Sequence, residues 1–301
     1  MTTVGDIIDR IYRDYLLPPD EQPTRFTING SGMDASTKHM PVDVSMLSPE
    51  EMDLLGPGAV IEAGSELLLV EAARGDSTDS FNALTVRRGM FGTEASPHPA
   101  GTIVTVAPDY PRQVVFDALA DAIENLWPDL WTIRTTEFWA SPSAIVELPA
   151  DCEEIIEVRS SVGGGWAYTS SWEFLSPYPN VPSGKALQFG LGGGYGHGYV
   201  VYRARTKRPQ SEADTLESLN VDPSWVKVAA VGAVAHVVAN EDIDRLTAEF
   251  ITRALEVEGF TIGQGTDLRN GLLQYQQFLM EPLRRAVQAR TPVSVVVHRM
   301  L

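Results

Sequence analysis

The 301-residue chain has a single cysteine, Cys152. An intramolecular disulfide is therefore excluded, and a thiolate zinc site has no second sulfur to draw on. Histidine is sparse as well: His39, His98, His197, His236 and His298, none in an HExxH or comparable ligand spacing. Positive charge is short, with 23 Lys and Arg against 40 Asp and Glu, a formal net charge of −17. Proteins that grip nucleic acid draw affinity from phosphate contacts and are usually basic, so a free-standing DNA or RNA binder is disfavoured. Long apolar runs are missing. The longest, VAAVGAVAHVVA at 228–239, falls short of the roughly 20 residues of a membrane span. The first fifteen residues have neither a basic start nor a continuous apolar core, so no secretion signal is expected.

Catalytic signatures are equally thin. Neither a GxxxxGK[ST] loop nor a GxSxG elbow occurs. The glycine run FGLGGGYGHGY at 189–199 breaks GxGxxG, because Tyr195 and Tyr199 stand where the last glycine is needed. It reads as a flexible hairpin tip. The Arg-Gly-Asp tripeptide at 74–76 closes a strand at a turn. Glu147, Asp151, Glu153, Glu154 and Glu157 read as a solvated rim rather than a paired acid and base. Trp127, Trp131, Trp139, Trp166 and Trp172 read as core or interface fillers, with sugar binding as the alternative. No nucleophile, base and orienting group converge, so no enzyme and no cofactor are expected.

What is present is a change of periodicity along the chain. Val4, Ile7, Ile8, Ile11, Tyr12 and Tyr15 recur at helical spacing, and Pro18-Pro19 stops that helix. From 24 to 107 short apolar runs (RFTI, GAVIEA, ELLLVEA, ALTVRR, TIVTV) alternate with Gly, Pro, Ser and Asp, the texture of a small antiparallel β domain. Ser48 caps a short helix with Pro49 at its first position. A helix over 109–126, capped by Asp109, follows, then a second β region over 132–210 with five strand candidates. Asp222-Pro223 starts a helix rich in Ala, Val and Gly. A second helix ends at Gly259, and a third runs over 266–289 with Pro282 inside. The expected fold is α+β. A helical bundle of the N-terminal, central and C-terminal helices (1–23, 108–131, 211–290) carries two inserted antiparallel β regions (24–107, 132–210) and an extended tail at 291–301.

The stretch RRGMFGTEASPHPAG at 87–101 is the densest motif. Gly89 and Gly92 supply turn geometry, Pro97 and Pro99 an extended link, and Gly101 returns the chain to a strand. His98 reads as a loop residue tying down backbone carbonyls, with no catalytic partner nearby. Arg88-Gly89-x-x-Gly92-Thr93, followed by His98 and Gly101, resembles a segment recurrent in neck, tail and baseplate proteins of tailed bacteriophages. The order of helices and β regions, with PDYPRQVVFDALADAIENLWPDLW and LLQYQQFLMEPLRRA, resembles their head-to-tail adaptor (connector) proteins. That resemblance implies a virion protein assembled in the host cytoplasm as a ring of about twelve copies. The ring would sit beneath the portal, with DNA passing its lumen and stopper or tail-completion proteins below. The rivals are a tail-tip or baseplate component and a glycan-binding module.

The C-terminus carries its own signal. After Glu281 there is no acid, but there are Arg284, Arg285, Arg290 and Arg299. Pro292 interrupts the helix, and Val293, Val295, Val296 and Val297 are strongly β-forming. These residues are the candidates for binding the portal or a neighbouring subunit by strand addition.

Overall fold

The computed structural model describes residues 2–17, 23–45, 47–74, 83–140, 145–162, 165–169, 171–190, 196–240, 245–262 and 267–290. Two compact units emerge, each with both helix and strand. The barrel unit comprises Asp6–Leu119 and Gly232–Leu273; the sheet unit comprises Met1–Gly5, Ala120–Val231 and Gln274–Leu301.

The barrel unit is built on six strands: β1 (Arg25–Ile28), β2 (His39–Asp43), β3 (Val60–Ala63), β4 (Glu66–Arg74), β5 (Ala83–Arg87) and β6 (Ile103–Val106). They close in the order β1-β2-β5-β4-β3-β6, with every pairing antiparallel. Alternation dictates the interior, since successive side chains point to opposite faces. Phe26 and Ile28, Met40 and Val42, Ile61 and Ala63, Leu68 and Val70, Leu84 and Val86, and Val104 and Val106 fill it. A bulge between Val70 and Ala72 shifts the β4–β5 register. Closure leaves the sheet no free edge and gives it a core of its own.

The helices are α1 (Val4–Ile11), which continues as a π-helical turn at Tyr12–Leu16, α2 (Pro49–Asp53), α3 (Arg112–Glu124), α4 (Val226–Asn240), α5 (Arg245–Val257) and α6 (Leu268–Arg290). The Ser48 and Glu51 side chains and backbones form a reciprocal capping box at α2. Asp222 accepts from Ser224 N ahead of α4. α4 is apolar on nearly all sides, Val228 to Ala235 are buried among others, and such a helix belongs in a core. In the barrel unit α5 lies beside the Tyr12–Leu16 turn. None of the described helices is long and apolar enough to cross a membrane.

The sheet unit holds β7 (Thr132–Ala140), β8 (Ile145–Glu147), β9 (Cys152–Val162), β10 (Gly165–Tyr168), β11 (Trp172–Leu175), β12 (Ala186–Phe189) and β13 (Gly196–Ala204). They form a four-stranded sheet, β10-β9-β13-β7, and a three-stranded one, β11-β12-β8. The two share a core that includes Leu148, Cys152, Ile155, Val158, Leu187 and Val200. Phe138 and Phe189 meet there at 5.2 Å between ring centroids.

These findings correct the expected architecture. There is no helical bundle with two inserted β regions. The fold is a mixed one, with a closed six-stranded barrel and six α-helices among the described residues. The barrel strands bury their own apolar side chains in one cluster. β2 and β7 went unforeseen because Pro41 interrupts one and Arg134, Thr135, Thr136 and Glu137 make the other too polar to show as an apolar run. GGWAYTSSWEF, read as one strand, divides into β10 and β11 in different sheets. α3 begins at Arg112, later than the Asp109 cap implied, because the Glu62 carboxylate on β3 accepts from Arg112 N. β12 and β13 also pair in different sheets; the expected hairpin tip falls on the glycine run between them, of which residues 191–195 lie outside the described residues.

Candidate functional site

The inward-facing positions of the barrel do not stay apolar to its end. Glu66 precedes Leu68 by two residues on β4 and shares its side; Arg88 follows Val86 by two residues just after β5. Their side chains are 0% and 8% exposed. Arg88 Nε and Nη2 donate to Glu66 Oε1 and Oε2, each at 2.7 Å, a parallel bidentate pair. The remaining guanidinium hydrogens go to main-chain carbonyls: Asp34 at 2.6 Å, Thr37 at 3.0 Å and Ser96 at 2.6 Å. All five N–H donors of Arg88 are thereby used.

Glu66 takes three more donors: Gly89 N at 2.9 Å, Ser96 N at 3.1 Å and His98 Nε2 at 2.8 Å. A carboxylate only accepts, so His98 Nε2 carries the hydrogen in that bond. Burial alone would push the Glu66 carboxyl up. The Arg88 guanidinium, the Ser96 and Gly89 N–H groups and His98 outweigh it and hold the carboxyl at about 2.

The surrounding loops are cut to fit. His98 and Met33 exchange backbone N–H···O bonds at 2.8 Å in both directions. Gly32 sits at φ 76°, and a Cβ there would lie 2.5 Å from His98 O, so only glycine fits. Gly89 is left-handed (φ 59°, ψ 44°), with a would-be Cβ 3.0 Å from Thr93 O. Gly92 and Gly101 also carry positive φ. Thr93 Oγ1 donates to Met90 O at 2.8 Å and accepts from Leu67 N at 3.0 Å, which ties the turn to β4. Asp34 Oδ1 accepts from the amides and hydroxyls of Ser36 and Thr37; these bonds hold its carboxyl at about 2 and fix the loop whose carbonyls meet Arg88.

His98 is thus corrected. Its side-chain partner is the Glu66 carboxylate, not a backbone carbonyl, and that partner lies 32 residues away. The trio is a polar seal on one end of the barrel. The His98 side chain is 5% exposed, and Glu66 and Arg88 are fully hydrogen-bonded. Glu66 escaped the reading of the sequence, although a signal was there. It shares the alternation of Leu68 and Val70, as Arg88 shares that of Leu84 and Val86.

The C-terminal arginines of α6 are engaged within the sheet unit. Arg284 donates to Asp129 at 2.6 Å, Arg285 meets Glu281 at 2.9 Å and Arg290 lies 3.6 Å from Asp222. Val293, Val295, Val296, Val297 and Arg299 lie outside the described residues. Matched against known protein families and curated proteins, the chain finds no counterpart. Cys152 opens β9, fully buried, and burial pushes its thiol up to about 12. His39 on β2 is exposed and His236 on α4 half-buried. Among the described residues no three His, Cys, Asp or Glu side chains gather as a metal site would require. The tryptophans divide: Trp127, Trp131 and Trp172 are half-buried, whereas Trp139 and Trp166 are exposed and fill no core.

Proposed function

We propose that the chain is a structural virion protein, the head-to-tail adaptor of a tailed bacteriophage. In this reading about twelve copies close into a ring under the portal, line part of the DNA channel and present a platform to stopper or tail-completion proteins. The observation that carries the proposal is the Arg88–Glu66–His98 seal. The residues that resemble phage neck and tail proteins, Arg88, Gly89, Gly92, Thr93, His98 and Gly101, all lie in or beside one hydrogen-bonded closure of the barrel. Its side chains are committed to holding loops together, as a mechanical part requires. The net charge of −17 supports the same reading, because a channel wall of the DNA's own sign lets DNA slide rather than stick.

The test is assembly. Purified protein is mixed with portal rings and imaged, and the neck of the intact particle is imaged alongside. Twelve copies at 32.9 kDa each give about 395 kDa added to the portal. A ring of that mass in both samples is the expected result. A threefold or sixfold arrangement in the particle would overturn the adaptor reading and favour the tail tip or baseplate.

A further inference from the structure

One face of the four-stranded sheet carries a cluster of rings where a solvent-facing sheet ordinarily carries polar side chains. The register shows how it is made. Tyr168 pairs with Arg159, Arg159 with Tyr199, and Tyr199 with Glu137, which gives one row across all four strands. Two residues along, and so on the same face, Trp166 pairs with Ser161 and His197 with Trp139. The opposite face holds Phe138, Val158 and Val200, which are buried. Trp139 is 79% exposed, Tyr168 73% and Trp166 49%.

The rings brace one another. Trp139 stacks on His197 at 4.9 Å between centroids and 24° between planes. Trp166 meets His197 at 5.4 Å and Tyr199 edge-on at 4.9 Å. Arg159 lies over Tyr168 at 4.4 Å, and His197 Nε2 is 3.1 Å from Glu137. A set of rings ordered in advance loses little freedom when something docks on it. Towards the other end of the face Arg203, 27% exposed, pairs with Glu154 and lies over the Trp131 ring at 4.5 Å from its centroid.

We infer that this face is a binding platform for a neutral polysaccharide of pyranose units. The C–H face of a pyranose carries slightly positive hydrogens, and the face of an aromatic ring is negative, so the two stack. The ring hydroxyls need donors and acceptors beside that stack. Arg159, 30% exposed and already paired with Glu157 and the Tyr168 hydroxyl, and His197 are the donors beside the rings, and Glu137, 75% exposed, supplies an acceptor. These polar groups alternate with the rings inside the same two rows. A protein interface is likewise rich in Trp, Tyr and Arg, but its centre is dry and depleted in Glu, whereas Glu137 stands here inside the ring-bearing row. The net charge of −17 repels nucleic acid and acidic polymers alike. The inference does not depend on the adaptor reading, and its test uses neither portal nor ring.

Full-length protein is incubated with insoluble chitin and cellulose, and titrated with N-acetylchitohexaose and cellohexaose while tryptophan fluorescence is followed. Saturable binding to at least one sugar is expected, displaced by the matching soluble hexamer. Trp139→Ala and Trp166→Ala should each weaken it by about tenfold or more, at unchanged thermal unfolding. Thr135→Ala, on the same face outside the cluster, should bind as the parent does. Failure to bind any of these sugars overturns the inference, as does binding that survives the Trp139→Ala/Trp166→Ala double variant. So does a Trp139→Ala effect confined to self-association in sedimentation, which would make the face a contact between copies.

Discussion

Replacing Glu66 by alanine should uncap the barrel, and the cost follows from what it leaves behind. The Arg88 guanidinium, 8% exposed, would lose two of its five acceptors, and Gly89 N, Ser96 N and His98 would each lose theirs. Removing one partner of a buried ion pair costs about 3–5 kcal/mol, mainly because the other charge stays buried and unmatched. That is a large share of the 5–15 kcal/mol or so that holds a domain folded. Tryptophan fluorescence would miss the event, since all six tryptophans lie outside residues 24–107. The assay is amide hydrogen exchange at Leu68–Val70 on β4 and Leu84–Val86 on β5. A loss of about 4 kcal/mol accelerates exchange there by roughly a thousandfold. Acid gives an independent readout. The folded Glu66 carboxyl is held at about 2 against an ordinary value of 4.5. Its contribution, on the order of 3 kcal/mol, is complete above 4.5 and lost as pH falls through about 2. Glu66→Gln, which keeps the shape and removes the charge, should flatten that window. Strand protection within about fivefold of the parent in Glu66→Ala would refute the claim that this network closes the barrel.

Gly89→Val forces a β-branched residue into a left-handed position with its Cβ 3.0 Å from Thr93 O; a loss of roughly 1–3 kcal/mol is expected, read as a lower urea midpoint for barrel exchange. If the adaptor proposal holds, deletion of residues 291–301 should leave the melting temperature unchanged but abolish attachment to phage heads. Unfolding of the truncated chain, with attachment per folded molecule retained, would show the tail to be intramolecular instead.

Much of the local structure could be read without coordinates, because it rests on interactions a few residues apart. Ser48-Pro49 and Asp222-Pro223 start helices through caps that need only their immediate neighbours. The positive φ of Gly89 and Gly92 follows from a turn within one short stretch. The barrel's interior could be read too, as alternation in Phe26/Ile28, Leu84/Val86 and Val104/Val106. Closure could not, because it depends on β1 finding β6 across most of the domain. The helices' assembly was misjudged for a like reason: an apolar stripe says that a face is buried, not what covers it.

The same limit separates the two surfaces that matter most. A glutamate opening the run ELLLV looks like a solvated strand end. Only the meeting of β4 and β5, with the loop bearing His98, turns it into a buried carboxylate with five donors. Trp139 and Trp166 read as core or interface fillers for the converse reason. Their strands alternate, and only the register decides that Phe138 and Val158 take the buried side while the large rings face water. Composition set the charge, the lone thiol and the caps, all properties of residues or of near neighbours. Tertiary structure decided which acid is buried and which rings are exposed, because burial belongs to the pairing of distant strands and not to any single segment.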